Sequence, residues 1–124
     1  MKKTFIETTS FTKRVGSFLD DETYAAFQLG LMAHPEQGHV IQGCGGLRKV
    51  RVAIPGRGKG KQGGARVIYL DVPEVNSILL LDIYGKDEKD DLTASEKKLL
   101  RRLAEAFRRE AIQAASSAKK EESE

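Results

Sequence analysis

The run Ile78–Leu81 is apolar on both of its faces, and this feature most constrains how the chain can fold. Side chains alternate between the two faces of a strand, so a strand of this kind is buried on both sides. We therefore expect Ser77–Tyr84 to contain the best-buried strand of a sheet. With 124 residues and 40% apolar content, the chain suits one compact domain with a single modest core.

Two other segments predict strands that join this one in an antiparallel meander. Leu47–Ala53 alternates between apolar and basic residues, and Ala65–Asp71 is rich in β-branched residues. A glycine- and lysine-rich loop, Pro55–Gly64, separates these two strands, and a turn around Pro73 precedes the last one.

The first forty residues predict a short strand and a helical hairpin. Thr4–Thr8 is β-branched and predicts the strand, and Ser10 is a candidate cap for a helix that runs to about Leu19. Asp20 is expected to cap a second helix, because its carboxylate can accept the free amides of the first turn. A proline ends that helix at His34.

The last helix begins with a capping box, Thr93-Ala94-Ser95-Glu96, in which side chains satisfy the backbone amides of the first turn. Its expected apolar stripe consists of Leu99, Leu100, Leu103, Ala106 and Phe107. Its basic residues favour a solvated face over an RNA contact. Residues 1–115 form the expected domain, and 116–124 a disordered polar tail.

Charge is strongly segregated along the chain. The net charge is only +3, yet no acidic residue lies between Glu36 and Asp71. This segment carries seven basic residues: Arg48, Lys49, Arg51, Arg57, Lys59, Lys61 and Arg66. Such segregation produces a local positive field, which favours a surface that contacts phosphates.

The glycine-rich loop is expected to contact RNA through Arg57, Lys59 and Lys61, with Arg48 as a further contact beside it. Glycine permits close backbone approach, and the basic residues bring charge to phosphates. The alternative is a solvated loop, but the basic residues on the flanking strands favour nucleic acid.

Cleavage of RNA needs neither metal nor histidine if cations stabilise the charge that develops on the phosphate. Lys49, Arg51 and Arg66 are the candidates for this task, and Tyr84 or Lys86 for proton transfer. The alternative for Tyr84 is an aromatic residue that covers the core. Cys44 and the two histidines are too few and poorly spaced for a zinc site, and Cys44 is expected to be a small turn residue.

Three segments, in this order and spacing, resemble the RelE/HigB toxin family: Val40–Val52, Gly64–Tyr69 and Ile83–Glu88. The similarity spans roughly residues 1–112 and is greatest to the HigB subgroup with a long basic loop. It implies an α+β, microbial-RNase-like fold. In that fold an N-terminal strand and two helices pack on an antiparallel sheet, followed by a C-terminal helix.

The resemblance further implies the toxin of a type II toxin–antitoxin system. Such a toxin cleaves mRNA in the A site of the 30S ribosomal subunit without metal or cofactor. A HigA-like helix-turn-helix antitoxin would neutralise it, and DNA would be contacted only through that antitoxin.

The site residues carry over position by position. On this alignment Lys49 and Arg51 match the basic pair of the second strand, and Arg66 and Lys86 match further basic positions. Two positions depart from the family pattern. Asp87 stands where a second catalytic arginine is common, and Thr93 stands where RelE has a tyrosine.

Two other functions remain open at the level of sequence. One is a non-catalytic RNA- or ribosome-binding module, and the other is an inactive relative that binds only a protein partner. No apolar run is long enough for a membrane span, and the N-terminus lacks the pattern of a signal peptide. We therefore expect a cytoplasmic protein.

Overall fold

A computed structural model describes residues 2–54 and 64–123, with side chains described up to residue 118. The basic loop residues Arg57, Lys59 and Lys61 lie outside the described part. The elements are β1 (Thr4–Glu7), α1 (Thr9–Val15), α2 (Asp21–Ala33), β2 (His39–Val40), β3 (Arg48–Val52), β4 (Ala65–Val72), a 3-10 turn (Pro73–Val75), β5 (Ser77–Gly85) and α3 (Ala94–Ser123).

The five strands form one sheet in the order β1-β5-β4-β3-β2. The predicted antiparallel meander of β3, β4 and β5 is confirmed. The sheet as a whole is mixed, because β1 pairs parallel to β5, with Phe5 opposite Ile78. After β1 the chain continues into α1 and α2, so no hairpin joins β1 to β5. The relative direction of these two strands is therefore not fixed by a tight turn. The short strand β2 was not predicted, because two residues are too few to show alternation.

The sheet separates two apolar clusters, one on each face. On one face α1 and α2 cover a cluster that includes Phe11, Leu31, Val67 and Leu80. On the other face α3 covers a cluster that includes Leu47, Ile68, Leu70, Leu81 and Leu100. Every residue from Ile78 to Leu81 is at most 4% exposed, which confirms the prediction for β5. Each such side chain stabilises the fold by roughly 1.5–3 kcal/mol.

Helix starts were predicted with mixed success. Asp20 caps α2 as expected, since its Oδ1 accepts a hydrogen bond from the Thr23 amide at 2.7 Å. The prediction that Ser10 caps α1 is wrong. Thr8 is the cap, because its hydroxyl accepts from the Phe11 amide at 3.2 Å and also donates to the Leu81 carbonyl at 2.9 Å. Because this second bond fixes Thr8 to β5, Thr8 sets where α1 begins. The helix ends at Val15, not at the predicted Leu19.

Helix α3 begins with the predicted capping box. The Thr93 amide donates to Glu96 Oε1 at 2.8 Å, and the Glu96 amide donates to the Thr93 hydroxyl at 3.1 Å. The helix continues past residue 116, where a disordered tail was predicted, to Ser123. Alanine, lysine and glutamate dominate this end and are strong helix formers. Of the expected apolar stripe, Leu99 and Leu103 are 59% and 44% exposed and so are not part of the core.

Candidate functional site

The centre of the predicted site is a row of three residues that lie opposite one another across three strands. In the register of the sheet, Arg51 of β3 pairs with Arg66 of β4, and Arg66 pairs with Tyr84 of β5. Directly paired residues project from the same face of a sheet. Lys49 lies two residues before Arg51 and so projects from this face as well.

A β-bulge brings Tyr84 into this row. Ile68 pairs with Asp82 and Tyr69 pairs with Leu80, so Leu81 is an extra residue in β5. An extra residue reverses the alternation of the strand beyond it. Leu81 and Tyr84 therefore both belong to the cluster under α3, although an uninterrupted strand would place them on opposite faces.

The two arginines differ in exposure. Arg51 is exposed, whereas Arg66 is only 8% exposed. Like charges directly opposite each other in a sheet are destabilising, and burial of one of them adds a desolvation cost. Directly opposed residues of two strands have Cβ atoms roughly 4.5–5.5 Å apart, so the two guanidinium groups extend from neighbouring points on one face. The pair therefore has the charge and geometry to bind a phosphate, and arginine suits this ligand because its planar fork matches two phosphate oxygens.

Tyr84 is fully buried beside this pair. Burial is the main cause that raises the pKa of Tyr84 to about 12, the charge of Asp91 adds to the rise, and Arg66 opposes it. The Lys89 ammonium lies 4.8 Å from the centre of the Tyr84 ring. Among the described residues, no group hydrogen-bonds the Tyr84 hydroxyl. In this conformation Tyr84 covers the core next to Arg66, and its hydroxyl is not at the surface.

Lys49 contacts the segment that precedes α3. Its ammonium lies 3.4 Å from Asp91 Oδ1, and the other oxygen of Asp91 lies 3.9 Å from the Lys97 ammonium. A hydrogen bond from the Leu92 amide is the main cause that lowers the pKa of Asp91, with Lys49 and Lys97 contributing. Asp91, Lys97 and Lys89 were not predicted as site residues. Sequence spacing does not reveal their position, because it depends on the packing of α3 on this face of the sheet.

Lys86 lies in the turn that follows β5 and is half-buried, so it is not part of the three-residue row. The turn is held by a hydrogen bond from the Gly85 amide to Glu88 Oε1 at 3.1 Å. Glu88 in turn forms an ion pair with Arg14 of α1. Asp87 is exposed in the same turn.

Arg48 is separated from the other predicted basic residues. It pairs with Tyr69, which belongs to the cluster under α1 and α2, so it lies on the face opposite Arg51. Its guanidinium donates to the Glu36 and Gly38 carbonyls at 3.1 and 2.8 Å. The Tyr69 hydroxyl accepts from the Gly38 amide at 2.9 Å. These contacts hold the chain between α2 and β2, a structural task that alternation alone does not reveal.

A cleft of about 660 Å³ lies between the start of α1 and the exposed leucines of α3, and Lys89 is one of its lining residues. Leu81 and Asp82 of β5 also line it. Within residues 2–54 and 64–123, no three His, Cys, Asp or Glu side chains come together in a way that could hold a metal ion. In the same part of the chain, no helix is long and apolar enough to cross a membrane.

Two solved structures with a similar fold are of the Escherichia coli toxin RelE. Escherichia coli RelE in the intact RelBE toxin–antitoxin complex superimposes with a TM-score of 0.51 and 11% identity, over 68% of this chain and 96% of RelE. A variant of E. coli RelE in the free state, with two arginines replaced by alanine, gives a TM-score of 0.51 and 10% identity, over 73% of this chain and 90% of RelE. No model of a known protein family matches the chain. The α+β class and the RelE-like fold expected from the sequence are thus confirmed, and this chain has the fold of the RelE toxin.

Proposed function

We propose that this chain is the toxin of a type II toxin–antitoxin pair, and that it cleaves mRNA in the ribosomal A site as a metal-independent endoribonuclease. The observation that carries the proposal is the opposed pair Arg51 and Arg66, with Lys49 on the same face of a RelE-like sheet. Two guanidinium groups on facing strands supply planar, bidentate donors that match phosphate oxygens.

The chemistry that suits this pair is attack by the ribose 2′-hydroxyl on the adjacent phosphate. The bond from phosphorus to the 5′-oxygen breaks, which leaves a cyclic phosphate and a new 5′-hydroxyl end. Arg51 and Arg66 would stabilise the added negative charge on the phosphate oxygens, with Lys49 beside them. Lys86, half-buried in the turn after β5, is the candidate for proton transfer. Tyr84 would instead hold Arg66 in place, because its hydroxyl is buried and its pKa is high.

The proposal is tested by inducing the wild type and Arg66→Ala and mapping the ends of translated mRNAs. The wild type is expected to arrest growth and to produce new 5′-hydroxyl ends, and Arg66→Ala to relieve both. Loss of one preorganised donor lowers turnover by about 10²–10³-fold. Arg102→Ala, which removes an exposed arginine of α3, is the matched control and should remain toxic.

Arg66→Lys separates charge from folding, because it keeps the positive charge but loses the bidentate fork. It should fold as the wild type and cleave far less. If growth arrest survives the combined loss of Lys49, Arg51 and Arg66, the site assignment is wrong.

The proposed partner is an antitoxin, since E. coli RelE is found in an intact complex with RelB. We place this chain in the HigB-like subgroup and its antitoxin in the helix-turn-helix, HigA-like class, on the strength of the sequence resemblance. In this proposal the toxin acts in the cytoplasm and contacts DNA only through the antitoxin. Arg57, Lys59 and Lys61 would bind ribosomal or messenger RNA. A small helix-turn-helix protein encoded in the adjacent reading frame would support this assignment.

A non-catalytic RNA- or ribosome-binding module is the second candidate. The buried hydroxyl of Tyr84 favours it, as does the use of Thr93 as a helix cap, because both reduce the set of groups available for proton transfer. A module of this kind would bind RNA in a salt-sensitive manner and generate no cleaved product. New 5′-hydroxyl ends on translated messages would exclude it.

A further inference from the structure

The Asp91 carboxylate lies between two lysine ammonium groups at the edge of the proposed site. Asp91 directs one oxygen at the Lys49 ammonium at 3.4 Å and the other at the Lys97 ammonium at 3.9 Å. The Leu92 amide also donates to the first oxygen, at 2.8 Å. Two ammonium groups from separate elements, β3 and α3, therefore converge with a backbone amide on one anionic group.

This position has the properties of an anion subsite that is open to solvent. The side chain of Asp91 is 57% exposed, and those of Lys49 and Lys97 are 31% and 37% exposed. Exposed ion pairs contribute little to stability, so an incoming anion can replace the carboxylate at small cost. A phosphate group presents two unesterified oxygens to the two lysines, much as the carboxylate does, and carries a similar charge.

We propose that Lys49 and Lys97 form a second phosphate-binding subsite, that Asp91 occupies it in the free protein, and that an RNA phosphate displaces the Asp91 carboxylate. The inference rests on the proposed function, because it assigns the subsite to a nucleotide adjacent to the one held by Arg51 and Arg66. Asp91 then acts as an internal competitor that weakens RNA binding until the phosphate is correctly placed.

The test is a pair of matched charge variants, Asp91→Asn and Asp90→Asn. Each removes one negative charge from adjacent exposed positions, so both change the overall field equally. The probe is a fluorescent 2′-O-methyl oligouridylate, which lacks the attacking hydroxyl and cannot be cleaved. By anisotropy, Asp91→Asn is expected to bind more tightly than Asp90→Asn by up to about fivefold, the equivalent of one surface ion pair.

Lys97→Gln and its neighbour Lys98→Gln form the second matched pair. Loss of one phosphate contact on a single strand lowers the slope of log affinity against log salt by about 0.7. This decrease is expected for Lys97→Gln and not for Lys98→Gln. The gain from Asp91→Asn should also shrink in the Lys97→Gln background, because the two residues interact directly.

Equal affinities for the two aspartate variants, or equal slopes for the two lysine variants, would overturn the subsite. Such a result leaves the proposed nuclease intact if the wild type still generates 5′-hydroxyl ends. Conversely, tighter binding by Asp91→Asn alone, without any cleavage by the wild type, supports the subsite and rejects the nuclease. Failure of every variant to bind the oligonucleotide would also overturn the subsite, and the nuclease would then be judged by the mapping of mRNA ends alone.

Discussion

The burial of Tyr84 and its raised pKa disagree with the proton-transfer role predicted for it from the sequence. Its side chain is fully buried in the cluster under α3, beside Arg66 and Lys89. A buried hydroxyl that lacks a partner among the described residues costs free energy, whereas the ring contributes to packing. The aromatic body of Tyr84 is therefore expected to matter more than its oxygen.

Tyr84→Phe should retain or slightly raise the free energy of unfolding, and it should retain RNA cleavage. Tyr84→Ala removes the ring and is expected to cost about 3–5 kcal/mol through lost burial and the cavity left behind. Urea denaturation measures both variants, and mapping of mRNA ends measures cleavage. A folded Tyr84→Phe protein that no longer cleaves would show that the hydroxyl itself transfers a proton.

Helix α3 is the element that completes the site, because its first turn carries Lys97 and its preceding segment carries Asp91. The start of the helix is set by the reciprocal bonds between Thr93 and Glu96. In this chain Thr93 begins the helix.

Thr93→Ala should therefore destabilise the protein by about 1 kcal/mol, the usual cost of losing a hydroxyl cap. Ser95→Ala is the matched control, since Ser95 lies exposed in the same first turn. It should change the free energy of unfolding little. Equal losses for the two variants, measured in urea, would show that the cap contributes nothing specific.

At the scale of the whole molecule, three predictions that rest on neighbouring residues are confirmed, whereas three features that depend on distant segments were not predicted. The cap at Asp20, the capping box and the shared face of Lys49 and Arg51 all depend on residues close in sequence. The parallel pairing of β1 depends on contacts between distant segments. The same is true of the bulge opposite Ile68 and of the structural bonds of Arg48.

The candidate site was likewise predictable only where it depends on residues that are close in sequence. Alternation placed the basic residues of β3 on one face, but it could not show that Arg66 lies directly opposite Arg51, because register is set by the whole sheet. Nor could it show that α3 would bring Lys97 and Asp91 to the edge of the row.

The stability of the whole molecule should fall in acid, and Glu96 provides a test of the cause. The hydrogen bond from Lys89 is the main cause that lowers the pKa of Glu96 below its ordinary value of 4.5, and the Thr93 amide adds to the effect. A carboxyl with a lowered pKa binds fewer protons in the folded protein than in the unfolded chain. Its contribution is therefore present above pH 4.5 and is lost as the pH falls through the folded pKa.

Asp91 and Asp20 have lowered pKa values for similar reasons, chiefly hydrogen bonds from backbone amides, and contribute in the same direction. Burial raises the pKa of Asp82, which has the opposite effect on stability. Glu96→Gln should thus cost up to about 1 kcal/mol at neutral pH, since the group is partly exposed and screened by solvent. The difference from wild type should narrow toward pH 3, where the carboxyl is protonated in the unfolded chain and increasingly so in the folded protein. Urea denaturation at several pH values measures this, and a difference that stays constant across the range would show that Glu96 acts through packing rather than through charge.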